Sequence, residues 1–97
     1  MSDEQNEIEV FESNLFTKQL KKLSEKDLKV VEDEIDRVID DPEIGEQKKG
    51  DLSYLRVHKF KLKGQLVLLG YAWKDAELQL YLLSVGPHEN FYDTMKS

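Results

Sequence analysis

Two short segments hold most of the side chains that could do chemistry. Lys48, Lys49, Arg56, Lys59, Lys61 and Lys63 cluster between Gln47 and Gly64, with His58 among them and only Asp51 opposing. An arginine fork takes phosphate bidentately and a lysine supplies a point charge, so this segment could hold a nucleic-acid backbone. Read as a strand it alternates: Tyr54, Arg56, His58 and Phe60 share one side, while Val57, Lys59 and Lys61 share the other. Both sets could line one pocket only through a bulge or at a sheet edge. The plainer reading of the lysines is an edge strand charged to prevent edge-to-edge pairing.

The second segment is Gly86-Pro87-His88-Glu89-Asn90-Phe91-Tyr92, directly after an apolar run. Gly-Pro fixes the backbone at a strand's end and lets His88 emerge where a pocket mouth would lie. Histidine titrates near pH ~6.5 and can exchange protons at neutral pH, while Tyr92 can donate a hydrogen bond or stack on a base. The plainer reading is packing, with Phe91 and Tyr92 closing the end of the sheet.

The rest of the chain must position these groups. Its 97 residues allow one core, which excludes a multidomain machine, and 39% hydrophobic with 35% charged residues is the mix of a folded domain. The apolar runs Leu66 to Trp73 and Leu78 to Val85 are far shorter than the ~20 residues a bilayer demands. Absence of cysteine removes disulfides, thiolate metal sites and a Cys nucleophile. With two histidines besides, no metal site and no cofactor are expected. The acidic start Met1-Ser2-Asp3-Glu4 is unlike a secretion signal, so a cytoplasmic address is expected. Phosphate loops, nucleophile elbows and His-Glu-x-x-His are missing. Metal-free acid/base chemistry or pure binding remains.

Net charge is −6, which argues against indiscriminate binding to nucleic acid. The charge is nevertheless segregated: residues 1–46 hold fifteen acidic and six basic residues, residues 47–97 five and eight.

Residues 1–7 are polar and read as a flexible tail, leaving 8–97 as a single domain. Ile8, Val10 and Phe11 suggest a short strand, and Ser13 is placed to cap a helix from Asn14. Leu15, Phe16, Gln19, Leu20 and Leu23 follow helical spacing. Ser24 with Asp27 three residues later marks a second helix, whose Leu28, Val31, Ile35, Val38 and Ile39 run to a stop at Asp40-Asp41-Pro42. The acidic run Glu32, Asp33, Glu34, Asp36 is assigned to its solvated face. Gly45 to Gly50 reads as a polar loop. Three strands follow, over 54–62, 66–73 and 78–85, separated by turns at Lys63-Gly64 and Lys74-Asp75-Ala76. The fold class is α+β: a helical hairpin covers one face of a mostly antiparallel sheet and leaves the other free.

This order and three segments resemble the RelE/ParE superfamily of bacterial type II toxins. The segments are Phe16 to Leu23, Gly50 to Phe60, and Val85 to Tyr92. The resemblance spans about residues 8 to 95 and implies a β-α-α-β-β-β fold, a cognate antitoxin partner and, for RelE-like members, ribosome-dependent, metal-independent mRNA cleavage that inhibits translation. It matches Arg56, His88 and Tyr92 to catalytic positions and Lys59 and Lys61 to basic ones, and the basic segment adds Lys48, Lys49 and His58 as candidate RNA contacts. In that chemistry a 2′-hydroxyl attacks the adjacent phosphate, requiring a base, cations for the phosphorane and an acid for the leaving oxygen. One departure is Gln65-Leu66-Val67, where many relatives have arginine. A non-enzymatic gyrase-binding toxin of the ParE type and an inactive binding module of the same fold are the alternatives. The nuclease reading expects Arg56, His88, Tyr92 and the lysines to converge on the free face of the sheet.

Overall fold

A computed structural model describes residues 7–89, 91 and 92; the expected tail falls largely outside the described residues. Strand β1 (Glu9–Glu12) leads into α1 (Asn14–Lys21) and α2 (Glu25–Asp40). Then come β2 (Glu46–Gln47), a 3-10 turn at Gly50–Leu52, β3 (Arg56–Leu62), β4 (Gln65–Lys74) and β5 (Gln79–Pro87). The sheet order is β1-β5-β4-β3-β2, with β1 parallel to β5 and every other pair antiparallel.

Local sequence explains both helix starts. Ser13 Oγ accepts from the Phe16 N–H at 3.0 Å, and Ser24 Oγ accepts from the Asp27 N–H at 3.2 Å. Each cap satisfies a donor the helix leaves unpaired. Ser13 also donates to the Leu83 carbonyl at 2.8 Å, tying the start of α1 to β5. Between β3 and β4, Lys63 and Gly64 both adopt left-handed φ, 55° and 77°, as a two-residue hairpin loop requires.

The main core lies between helices and sheet. Phe16 from α1 and Val31 and Val38 from α2 pack against Phe60, Val67, Leu69, Tyr71, Leu80, Leu82 and Val85. A smaller cluster of Leu55, Val57, Leu68 and Phe91 sits on the opposite face. The expectation of an uncovered face is therefore corrected: Phe91, only 2% exposed, covers its centre.

Three further expectations change. Gly45 to Gly50 is more than a loop, because Glu46 and Gln47 pair with Val57 and Arg56 as the edge strand β2. Leu78 belongs to the turn, with φ 54°, so β5 starts one residue later than its apolar run. Glu34 is not on the solvated face with exposed Glu32, Asp33 and Asp36, since it turns toward the sheet to meet His58.

A skip in register between Gly70 and Tyr71 of β4 leaves Leu83 of β5 as the extra residue. Such bulges leave backbone groups without ladder partners. Here Gln19 of α1 supplies them, accepting from the Val85 N–H at 2.7 Å and donating to Ser84 Oγ at 3.2 Å. Helical spacing alone had placed Gln19 among the apolar positions; its amide is what the bulge needs.

Candidate functional site

Strand alternation decides which cations share a surface. Arg56, His58 and Phe60 of β3 face the helices; Val57, Lys59 and Lys61 face the other way. The one-hollow expectation is thus corrected for Arg56 and His58, because nothing in β3 breaks the two-residue period.

On the helix side Arg56 is an anchor. Its Nη1 donates to the carbonyls of Glu43 at 3.3 Å and Gly45 at 2.8 Å. Tyr71 of β4 completes the clamp: its hydroxyl donates to the Pro42 carbonyl at 2.7 Å and accepts the Gly45 N–H at 2.9 Å. Burial raises the Tyr71 pKa above its ordinary value, and the Gly45 N–H and nearby Arg56 oppose that shift only partly, so the phenol stays protonated. Gly45 must be glycine, since a Cβ would stand 2.7 Å from the Tyr71 oxygen and 3.0 Å from the Val57 backbone. Tyr71→Phe strands the Gly45 N–H and the Pro42 carbonyl, and we expect a loss of about 1–3 kcal/mol in denaturant unfolding. A loss below about 0.5 kcal/mol, the range of ordinary surface substitutions, would contradict the clamp.

His58 is similarly engaged. Its Nε2 lies 2.7 Å from Glu34 Oε1, with side-chain exposures of 12% and 17%. A carboxylate can only accept, so the imidazole donates from Nε2. His58 also stacks on Phe60 at 6.0 Å.

Lys59 and Lys61 lie on the opposite face. Lys59 pairs with Leu68, which pairs with Gly86. Two strand spacings put Lys59 about 10 Å from Gly86, two residues before His88. A Cβ at Gly86 would touch nothing within 4 Å, so space is open above Gly86, whereas Leu68 between it and Lys59 is buried against Leu55, Val57 and Phe91. Lys59 and Lys61 are exposed on one side; His88, also exposed, begins the helical turn on the other.

That turn is held down by Phe91. Gly70 makes room for it: a Cβ there would stand 2.6 Å from Phe91 Cζ and 3.1 Å from Leu55 Cδ1. Tyr92 meets the Phe91 ring edge-on at 5.1 Å and 88°. Lys48 Nζ stands 5.7 Å over the Tyr92 ring. Its pKa is raised above the usual lysine value chiefly by the Tyr92 hydroxyl, with burial opposing and Glu46 assisting, so Lys48 is a cation at neutral pH. Lys49 is exposed beside it. Nothing in the spacing of Lys48 and Tyr92 along the chain announces this contact, which depends on Phe91 entering the gap above Gly70.

The face thus offers Lys48, Lys59 and Lys61, one aromatic ring with a hydroxyl and one exposed imidazole around an apolar floor of Leu55, Val57, Leu68 and Phe91. Such an arrangement can take a phosphate backbone and a stacked base, and can exchange a proton beside them. Among the described residues, no group of three or more His, Cys, Asp or Glu side chains is placed to hold a metal ion, and no helix is long and apolar enough to cross a membrane.

Two helices on a five-stranded, mostly antiparallel sheet is the fold of the RelE toxins. The E. coli RelBE toxin–antitoxin complex aligns at TM-score 0.68 and 20% identity over 86% of this chain and 99% of that one. The isolated E. coli RelE toxin gives 0.65 and 19%, over 93% and 97%. The RelBE2 toxin–antitoxin complex of Mycobacterium tuberculosis gives 0.66 and 20%, over 84% and 98%. Comparison with curated protein sequences gives no match. Residues 10–96 match the family of ParE-like toxins of type II bacterial toxin–antitoxin systems, and the chain belongs to that family.

Proposed function

We propose that this toxin is a ribosome-dependent, metal-independent endoribonuclease that cuts mRNA and so inhibits translation in the cytoplasm. The observation that carries the reading is the grouping of Lys48, Lys59, Lys61 and Tyr92 on one sheet face, with His88 exposed at its margin. Lys59 and Lys61 bind the scissile phosphate and offset the charge that grows on it as the 2′-hydroxyl attacks. Tyr92 stacks on a neighbouring base, with Lys48 above its ring, and Lys49 extends the RNA contact. The 2′-oxygen bonds to phosphorus, its proton passes to a base and the 5′-oxygen leaves with a proton, giving a 2′,3′-cyclic phosphate and a 5′-hydroxyl. His88 performs one of these proton transfers, since His58 is occupied by Glu34. Arg56 contributes by holding the Pro42–Gly45 loop rather than by clamping this phosphate.

A cognate antitoxin is the natural partner, and an acidic or amphipathic segment of it would cover Lys59 and Lys61. A second reading, a gyrase-binding toxin of the ParE type, is favoured by the family to which the chain belongs and by the turning of Arg56 and His58 away from the lysine face. Pulse-labelling after induction separates the two: protein synthesis stops first under the nuclease reading, DNA synthesis first under the other.

His88→Ala removes one proton-transfer group at an exposed position, so we expect cleavage to fall by about 10²–10⁴-fold with unfolding unchanged. Full toxicity of the variant in growing cells would remove His88 from the mechanism.

A further inference from the structure

A cavity of about 350 Å³ lies at the end of the sheet remote from the Lys63-Gly64 turn. Arg56 pairs with Tyr71, so Ala72, Trp73 and Lys74 run past the start of β3 and leave a notch beside it. Arg56, Trp73, Tyr54, Lys74, Glu43 and Asp75 line this notch. Glu43, Lys74 and Asp75 are exposed, whereas Arg56 is half-buried, so the deepest charge is a cation. Two carbonyls hold its Nη1 in place, and no carboxylate among the described residues lies within ion-pair distance of it. Three of the five guanidinium N–H donors remain in a fixed fork. Trp73 and Tyr54, the latter 52% exposed, supply flat rings at the same notch.

We propose that this notch binds a nucleoside 5′-monophosphate, with its phosphate on Arg56 and its base held between Trp73 and Tyr54. The rim carboxylates of Glu43 and Asp75 can accept from base N–H groups, a pairing that favours bases rich in donors such as guanine. The volume is at the small end of ordinary ligand sites and suits one nucleotide. Strand alternation separates the notch from Lys59 and Lys61, so the inference is independent of the nuclease reading.

Trp73 is the only tryptophan of the chain, which makes its emission a direct report on the notch. The full-length protein titrated with 5′-GMP should show a saturable change in emission, with guanosine and inorganic phosphate each at least about tenfold weaker, since each keeps only half of the contacts. Arg56→Lys should weaken GMP binding about tenfold or more by losing the fork, and Lys59→Ala/Lys61→Ala should leave it unchanged. Should Arg56→Lys fail to fold, Tyr54→Ala, at an exposed ring, serves in its place with the same expected loss. A 5′-phosphorylated oligoribonucleotide that competes more strongly than GMP assigns the site to an RNA end, and weaker competition assigns it to free nucleotide. Absence of a saturable change up to about 10 mM GMP, weaker than any useful affinity, would overturn the proposal. So would an equal response to phosphate alone, or GMP binding unaltered in a folded Arg56→Lys or Tyr54→Ala variant.

Discussion

Replacing Lys59 and Lys61 together by alanine should lower mRNA cleavage by about 10³-fold or more while leaving the fold intact. Removing a single preorganised donor from a developing oxyanion commonly costs about 10²–10³-fold, and here both β3 charges proposed to hold the phosphate are lost. Stability should change little, because both side chains are exposed and surface substitutions usually stay within about ±0.5 kcal/mol. Quantitative cleavage of a reporter mRNA in a reconstituted translation reaction, alongside denaturant unfolding, checks both halves. Undiminished cleavage would place the phosphate elsewhere. Loss of activity together with loss of stability would make the lysines structural.

The second large effect lies in the packing beneath the site. Phe91 is 2% exposed and fills the space that Gly70 leaves above β4. Phe91→Ala should cost about 3–5 kcal/mol, the usual range for emptying an aromatic site in a core. That is a large fraction of a typical domain stability of about 5–15 kcal/mol. The same change frees the turn that brings Tyr92 under Lys48, so activity should fall beyond the effect on folded fraction. Phe91→Leu keeps most of the volume and should cost less than about 1.5–2 kcal/mol. Thermal unfolding of both variants tests this, and a melting temperature unchanged in Phe91→Ala would show that the turn does not seal this face.

The local elements of the fold were legible because their causes are local. Ser13 and Ser24 each bond a backbone N–H three residues ahead, and the Lys63-Gly64 pair supplies both left-handed residues of one hairpin. The alternation of Arg56 and His58 against Lys59 and Lys61 was equally visible, since a strand's period is two. Features that escaped notice join residues far apart. Gln19 meets Val85 only because β5 gains a residue at Leu83, and nothing around Gln19 announces a partner 66 positions away. Glu34 sits within a run of acids and is distinguished from its neighbours only by facing His58. Arg56 has the chemistry of a phosphate clamp and the surroundings of a loop anchor, and only the carbonyls of Glu43 and Gly45 show which it is.

The site was legible in composition and only partly in arrangement. Lys48, Lys59, Lys61, His88 and Tyr92 stand out by residue type, but the placement of Tyr92 beside Lys48 rests on Phe91 packing over Gly70. Glu46 of the acidic half pairs with Lys48 at 3.5 Å, but the acidic run on α2 lies elsewhere. Glu32, Asp33 and Asp36 are exposed on α2, on the helix-covered side of the sheet, and screening over about 8 Å at cellular salt lets the lysine face act on its own.

If the lysine face cuts mRNA on the ribosome, as proposed, primer extension of a defined transcript after induction should reveal new 5′ ends that recur at a fixed position within codons and vanish with Lys59→Ala/Lys61→Ala; transcripts that stay whole while DNA replication halts would overturn it.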